Sequence, residues 1–198
     1  MSRRSQNVSW HAHAVSRERR AEALGGRGAT VWFTGLPASG KSTLAAAVEA
    51  ALIERGRAAY LLDGDNLRHG LNGDLGFSAE DRAENVRRTG EVALLFADAG
   101  LVALASLVSP YAADRLRVRE RHEVGGLRFI EVYVDTPLEE CERRDPKGLY
   151  ARARAGELSG MTGVDDPYEP PERPELVLRP VEPGLEGAVA AVLALLEA

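Results

Sequence analysis

An α/β fold, a five-stranded parallel sheet with helices on both faces, is what this sequence predicts. Three observations carry it. Five short apolar segments rich in β-formers alternate with helical segments. The third of them, LVALASLV at 101–108, is apolar almost throughout, as a strand buried on both faces must be. Between the first strand and the first long helix lies GLPASGKST, a glycine-rich turn that interrupts the core pattern.

In chain order, residues 1–27 read as a polar N-terminal extension that packs on the core, with a short helical possibility at SRERRAEALG. Residues 28–198 read as one domain without internal repeats. TVWFT (30–34) is the first strand, and the helix after the glycine turn runs from Ser42 to about Arg55. AAYLL (58–62) is the second strand, ending at DGDN. Ser78 and Asp81 form a Ser-x-x-Asp start signal for a helix reaching Asp98, which Gly100 closes. After the third strand comes the arginine-rich helix AADRLRVRERH. FIEVYV (129–134) is the fourth strand. In DTPLEECERR, Thr136 is the expected cap, Pro137 the first helical residue, and Glu139 completes the capping box. Residues 145–172 are polar and rich in Gly and Pro, too long for a passive connection in a compact domain, and are expected to form a lid. ELVLRP is the fifth strand, and GLEGAVAAVLALLEA the closing amphipathic helix.

Composition narrows the function. A net charge of -5 argues against general nucleic-acid binding, so any anion site is a local basic cluster on an acidic body. The single cysteine, Cys141, allows no internal disulfide and has no Cys/His cluster around it, which suggests a reducing setting. The N-terminus lacks the apolar stretch of a signal peptide, and Asp98 and Gly100 break the longest apolar segment. A cytoplasmic protein is the expectation, with no membrane partner. Of 25 basic residues only Lys41 and Lys147 are lysines. A compact ammonium on a flexible stem does what a planar guanidinium cannot, so both positions attract attention.

The glycine turn fits Gly-x-x-x-x-Gly-Lys-Ser with a strand before it and a helix after it, the context of a phosphate-binding P-loop. Lys41 then meets the β- and γ-phosphates and the Ser42 hydroxyl meets Mg²⁺. The backbone donors of Ala38 to Lys41 and the helix N-terminus complete the cradle. A plain glycine-rich turn is the bland alternative. No guanine-specifying Asn-Lys-x-Asp is present, and strand three ends in LVSP without the acid of a larger motor ATPase. A small kinase with its own lid fits best.

A second signature, DGDNLRHGLNGDLGFSAEDRAENVRR at 63–88, places Asp63, Asp65, Arg68, Phe77, Arg82 and Asn85 at the same sheet edge. Carboxylates beside a metal–phosphate site suit a base or a ligand of metal-bound water, arginines suit an anionic second substrate, and a loop phenylalanine flanked by glycine and serine suits stacking on a base. Each also has a structural reading. Asp63 could cap a helix, Arg82 and Arg88 could be solvated, and Phe77 could staple the helix starting at Ser78. The histidines His11, His13, His69 and His122 read as structural.

These strings, with WHAHAVSRERR, FIEVYVDTPLEECERRDPKGLYARARAGEL and TGVDDPYEPP, give the chain a resemblance to the adenylylsulfate kinase family over nearly its whole length. The resemblance implies a P-loop kinase that uses ATP and Mg²⁺ to phosphorylate the 3′-hydroxyl of adenosine 5′-phosphosulfate, in sulfate activation, as a homodimer. It implies that Gly35 and the run Ala38, Ser39, Gly40, Lys41, Ser42 and Thr43 hold ATP. Asp63 would be the metal-organising or base carboxylate, sharing Mg²⁺ with Ser42. Asp65, Arg68, Phe77, Arg82 and Asn85 would hold the sulfonucleotide, with Val108 and Ser109 beside it. Lys147 would be a lid lysine reaching the phosphates, and Gly160 with Met161 the second wall of the adenine slot. Arg144 and the turn after strand five are candidates for the adenine of ATP.

Ser109 matches a serine regarded in that family as a phosphoenzyme site, yet before Pro110 it also makes a good helix cap. Phosphoryl transfer here works by positioning and charge neutralisation, so direct in-line transfer is favoured, with Ser109 as cap and substrate contact. Pro37 and Ala38 depart from the family's usual Ser and Gly, Met161 from its Phe, and SLVSP from its SFISP. The rival readings are a kinase of another small acceptor, such as a nucleoside monophosphate, and a nucleotide-binding regulator without turnover.

Overall fold

A computed structural model describes residues 9, 11, 13–179 and 184–198. The elements run α1 (Arg17–Ala23), β1 (Ala29–Thr34), α2 (Lys41–Glu54), β2 (Ala59–Asp63), α3 (Gly64–Leu67), α4 (Ala79–Ala99), β3 (Val102–Ser106), α5 (Ala112–Val124), β4 (Arg128–Val134), α6 (Leu138–Arg144), α7 (Leu149–Arg154), β5 (Leu176–Leu178) and α8 (Gly184–Glu197). All five strands are parallel, in the order β2-β3-β1-β4-β5.

The sheet's period of two divides the core. Val31, Phe33, Leu104, Ile130 and Val132 face α2 and α8, packing on Val48, Leu52, Val192 and Leu193. Trp32, Ala103, Ala105 and Phe129 face the other way, onto Val86 and Ala93 of α4 and Val118 of α5. Because β1, β3 and β4 are covered on both faces, their sequences read as unbroken apolar runs. A third, smaller cluster gathers Cys141, Tyr150 and Met161 with Leu36, tying the 145–172 segment to the glycine loop.

Most termini obey local chemistry. The Ser78 hydroxyl accepts from the Asp81 N–H at 3.1 Å, and Gly100 ends α4 with φ 103°. Two expected caps are corrected. Thr136 does not cap α6, whose first residue follows Pro137; its hydroxyl donates instead to the Ser39 carbonyl at 2.8 Å, holding the glycine loop. Ser109 does not cap α5, which begins after Tyr111, because its hydroxyl is taken by core partners described below. Strand β3 ends at Ser106, short of the expected residue 108.

Within the 1–27 stretch, α1 lies against the end of α4. Arg17 and Arg20 share the Asp98 carboxylate at 2.8 Å each, and Arg17 also donates to the Gly125 carbonyl. The 145–172 segment contains α7 within its otherwise irregular course. Among the described residues no helix is long and apolar enough to cross a membrane.

Candidate active site

The glycine loop follows β1 and wraps the N-terminus of α2. Gly35 has φ 150°, and a Cβ there would stand 2.6 Å from the Val134 carbonyl oxygen, so only glycine fits. Gly40 precedes α2 in a left-handed conformation at φ 102°. Ala38 also has positive φ, 60°, which carries a steric cost for any residue with a Cβ. The sequence motif leaves that position free, but the backbone does not.

Lys41 is buried, and its ammonium lies back across its own loop, donating to the Leu36 carbonyl at 2.6 Å and the Ser39 hydroxyl at 3.2 Å. Burial pulls its pKa down to about 8, partly offset by the nearby Asp63 and Asp65. Next in the helix, the Ser42 hydroxyl donates to Asp63 Oδ2 at 2.7 Å and sits 3.2 Å from Ser106 Oγ. Sheet register explains the trio: Asp63 of β2 pairs with Ser106 of β3, which pairs in turn with Phe33 of β1 just before the loop.

Asp63 does cap a helix, as one of its readings expected. Oδ1 caps α3 by accepting from the Asp65 N–H at 2.9 Å and the Asn66 N–H at 3.3 Å, while Oδ2 faces Ser42. Ser106 was not singled out from the sequence, although it is the one hydroxyl inside LVALASLV. Three hard oxygen donors at a phosphate loop fit Mg²⁺, which prefers oxygen and keeps much of its water.

The 63–88 segment folds over the same edge. Asp65 meets Lys147 in an ion pair that joins this loop to the start of the 145–172 segment. Arg68 donates to the Leu75 and Gly76 carbonyls at 3.0 and 2.9 Å, and its guanidinium lies 4.3 Å over the Phe77 ring. Phe77 is 66% exposed, so it is no staple. Arg82 is not a solvated helix residue. It donates to the Phe77 carbonyl at 2.9 Å, Thr162 Oγ1 at 2.8 Å and the Gly160 carbonyl at 2.5 Å, with Asp166 at 3.6 Å. It is a brace between the start of α4 and residues 160–166.

Asp165 reinforces that turn by accepting from the Gly160 and Met161 N–H groups. The Met161 thioether is buried in the third cluster with Cys141 and Tyr150, so in this structure its side chain is not an exposed wall opposite Phe77. Asn85, one turn along α4 from Arg82, is buried and accepts from Asn72.

Three residues beyond β3, Ser109 is 3% exposed with φ 41°. Its hydroxyl accepts from the Trp32 indole at 3.1 Å and donates to Thr34 Oγ1 at 3.0 Å. Thr34 Oγ1 donates to the Val108 carbonyl at 2.8 Å and, its proton thus used, accepts from Tyr168 at 2.9 Å. The Ser109 carbonyl receives Arg115 at 2.6 Å; this buried guanidinium also pairs with Glu131 at 2.8 Å and donates to the Glu169 carbonyl at 2.7 Å. Trp32, Thr34 and Arg115 gave no motif signal of their own, and Tyr168 lies in TGVDDPYEPP without a role assigned to it there.

Arg144 lies beside the loop, donating to the Ser39 carbonyl at 3.4 Å and pairing with Glu140. Thr43 stands in the first turn of α2. The turn after strand five falls outside the described residues. His122 is structural: fully buried, it bonds Thr30 at 2.9 Å and the Val118 carbonyl at 2.8 Å, and burial lowers its pKa.

Residues 27–179 match the family described as Adenylylsulphate kinase. The chain is 60% identical over 178 residues to the adenylyl-sulfate kinase of Klebsiella pneumoniae, covering 90% of this chain and 88% of that one. It is 53% identical over 197 residues to that of Geotalea uraniireducens, covering 100% and 94%. Its fold superposes on the APS kinase of Mycobacterium tuberculosis, solved in complex with AMPPNP and APS, with a TM-score of 0.84 and 55% identity over 87% of this chain and 99% of that one. A phosphate loop is common to many kinases, whereas the 63–88 segment laid against it is far more particular, and together with these likenesses it establishes that the chain belongs to the adenylylsulphate kinase family.

Proposed function

We propose that the protein transfers the γ-phosphoryl group of ATP to the 3′-hydroxyl of adenosine 5′-phosphosulfate, giving 3′-phosphoadenosine 5′-phosphosulfate and ADP. The observation that carries this reading is the contact between two stations on one sheet edge. Ser42, in the first turn of α2, bonds Asp63, where the 63–88 segment begins, at 2.7 Å, and Lys147 bridges to Asp65. Two anionic nucleotides entering along that rim meet with cations between them.

The chain's own groups divide the work. The backbone of residues 35–41 and the N-terminus of α2 receive the phosphates. Lys41 exchanges its contacts with Leu36 and Ser39 for phosphate oxygens, remaining mostly protonated at neutral pH because its pKa lies at about 8. Ser42 and Asp63 would hold Mg²⁺, with Ser106 beside them, and the ion would neutralise charge on the phosphates. Asp63, its Oδ1 committed to backbone and its Oδ2 turned to Ser42, acts as a carboxylate of the metal shell. Phe77 offers a ring face to the base of the acceptor, backed by Arg68. Arg82 holds the 160–166 turn against Phe77, and Lys147 carries charge toward the phosphates from the lid.

Transfer is direct. The Ser109 oxygen is buried with both of its hydrogen-bonding roles already filled, an unsuitable nucleophile and a well-suited fixed wall. A homodimeric, cytoplasmic enzyme with residues 145–172 as its lid completes the reading; the lone, buried thiol of Cys141 suits a reducing compartment.

The test is ADP release across a panel of acceptors with identification of the product. Release stimulated by the sulfonucleotide, with a 3′-phosphorylated product, is expected. Release stimulated by AMP or CMP and not by the sulfonucleotide would overturn the assignment, as would ATP binding without acceptor-dependent release.

A further inference from the structure

Asn72 sits in the 63–88 segment, fully buried, between α3 and the Phe77 turn. Its amide nitrogen donates to Asn85 Oδ1 at 2.9 Å. Its amide oxygen has no protein partner among the described residues, the one buried side-chain polar atom there so placed. A buried unpaired acceptor is unfavourable, and an apolar side chain of similar volume would avoid it. The side-chain bond that the carboxamide of Asn72 makes among the described residues is the one to Asn85.

That bond decides which way round Asn85 stands. With Oδ1 tied inward to Asn72, the outward atom is the Asn85 amide nitrogen, which bonds no acceptor among the described residues and is not one of the buried unpaired atoms. Asn85 lies on the face of α4 that carries Arg82 one turn earlier, and Arg82 in turn reaches the Gly160 carbonyl. A nitrogen presented there offers two N–H donors to an anionic substrate; an oxygen would repel it.

We propose that Asn72 is a positioning residue that locks the Asn85 amide with its nitrogen toward the acceptor nucleotide. This rests on the proposed function, which places Asn85 against the sulfonucleotide. Asn72 touches no substrate itself and acts through its neighbour.

The experiment is a double-mutant cycle on the full chain, read as KM for adenosine 5′-phosphosulfate, KM for ATP, kcat and melting midpoint. Asn85→Ala removes the donor and should raise KM for the sulfonucleotide about tenfold or more. Asn72→Leu removes both the bond and the orphan oxygen. It should raise the same KM roughly 3- to 10-fold, with KM for ATP and the melting midpoint little changed. The double variant should match Asn85→Ala within about twofold, because Asn72 has nothing left to orient.

Multiplying effects in the double variant, or an equal rise in both KM values, would overturn the proposal. An Asn85→Ala enzyme with unchanged KM for the sulfonucleotide would overturn it too, while sulfonucleotide-dependent turnover would still leave the proposed reaction standing. Should Asn72→Leu fail to fold, Asn72→Asp carries the same test. It keeps the shape, and when ionised it only accepts, turning the Asn85 nitrogen inward, so the same selective rise is expected.

Discussion

Replacing Ser109 with alanine separates direct transfer from a phosphoserine route. In the folded protein the Ser109 hydroxyl accepts from Trp32 at 3.1 Å and donates to Thr34 at 3.0 Å, both of them buried. Alanine leaves the indole N–H without an acceptor, and an unpaired buried donor costs about 1–3 kcal/mol. Thr34 keeps Val108 and Tyr168, so no second orphan arises. In a domain of this size each kcal/mol moves the melting midpoint by roughly 2–4 °C, so the variant should melt about 2–12 °C lower.

Turnover should respond far less than a covalent mechanism demands. Under direct transfer the alanine costs some positioning, a fall of less than about tenfold, equivalent to about 1.4 kcal/mol on the barrier. Removing a covalent nucleophile costs on the order of 10⁶. ADP release at saturating substrates, run below the onset of melting, resolves the two without ambiguity. A folded Ser109→Ala enzyme with background turnover, together with wild-type protein that gains a phosphoryl group from ATP alone, would refute the reasoning.

Four further outcomes follow from the same geometry. Ala38→Gly should stabilise the protein by about 0.5–1 kcal/mol, since relief of a left-handed Ala (about 1–2 kcal/mol) exceeds the entropy that glycine adds to the unfolded chain (about 0.4–1 kcal/mol); chemical denaturation that shows a loss would contradict the loop strain. Phe77→Ala should leave stability nearly unchanged, because the ring is exposed, while raising KM for the sulfonucleotide about 5- to 150-fold, as loss of one base stack predicts. Lys41→Ala should instead lower kcat about 10²- to 10³-fold, and equal effects of both variants on ATP affinity alone would count against this division. ATP affinity should weaken above pH 8: below it Lys41 is already charged, whereas above its pKa of about 8 the phosphates must draw a proton onto the amine, so Kd rises by up to about tenfold per pH unit. Titration calorimetry in buffers of different ionisation enthalpy reads that proton uptake directly, and its absence at alkaline pH would contradict the role of Lys41.

Local chemistry was legible in the chain. The phosphate loop, the Ser78 cap, the Gly100 stop and the five apolar strands each depend on residues within a few positions of one another, so their spacing reveals them. The residues between 63 and 88 proposed to hold the acceptor were also visible, because one contiguous stretch carries them.

What those residues do was decided by tertiary packing. The strand order β2-β3-β1-β4-β5 is not the chain order, so Asp63, Ser106 and Ser42 converge from three separate elements with no pattern linking them. Ser109 loses its expected cap because β1 places Trp32 and Thr34 within reach of its hydroxyl, 77 and 75 residues away. Arg82 becomes a brace because residues 160–166 fold back onto α4. A hydrogen bond is satisfied by whichever partner the fold brings close, and a buried polar group must find one; the identity of that partner exists only once the sheet has assembled.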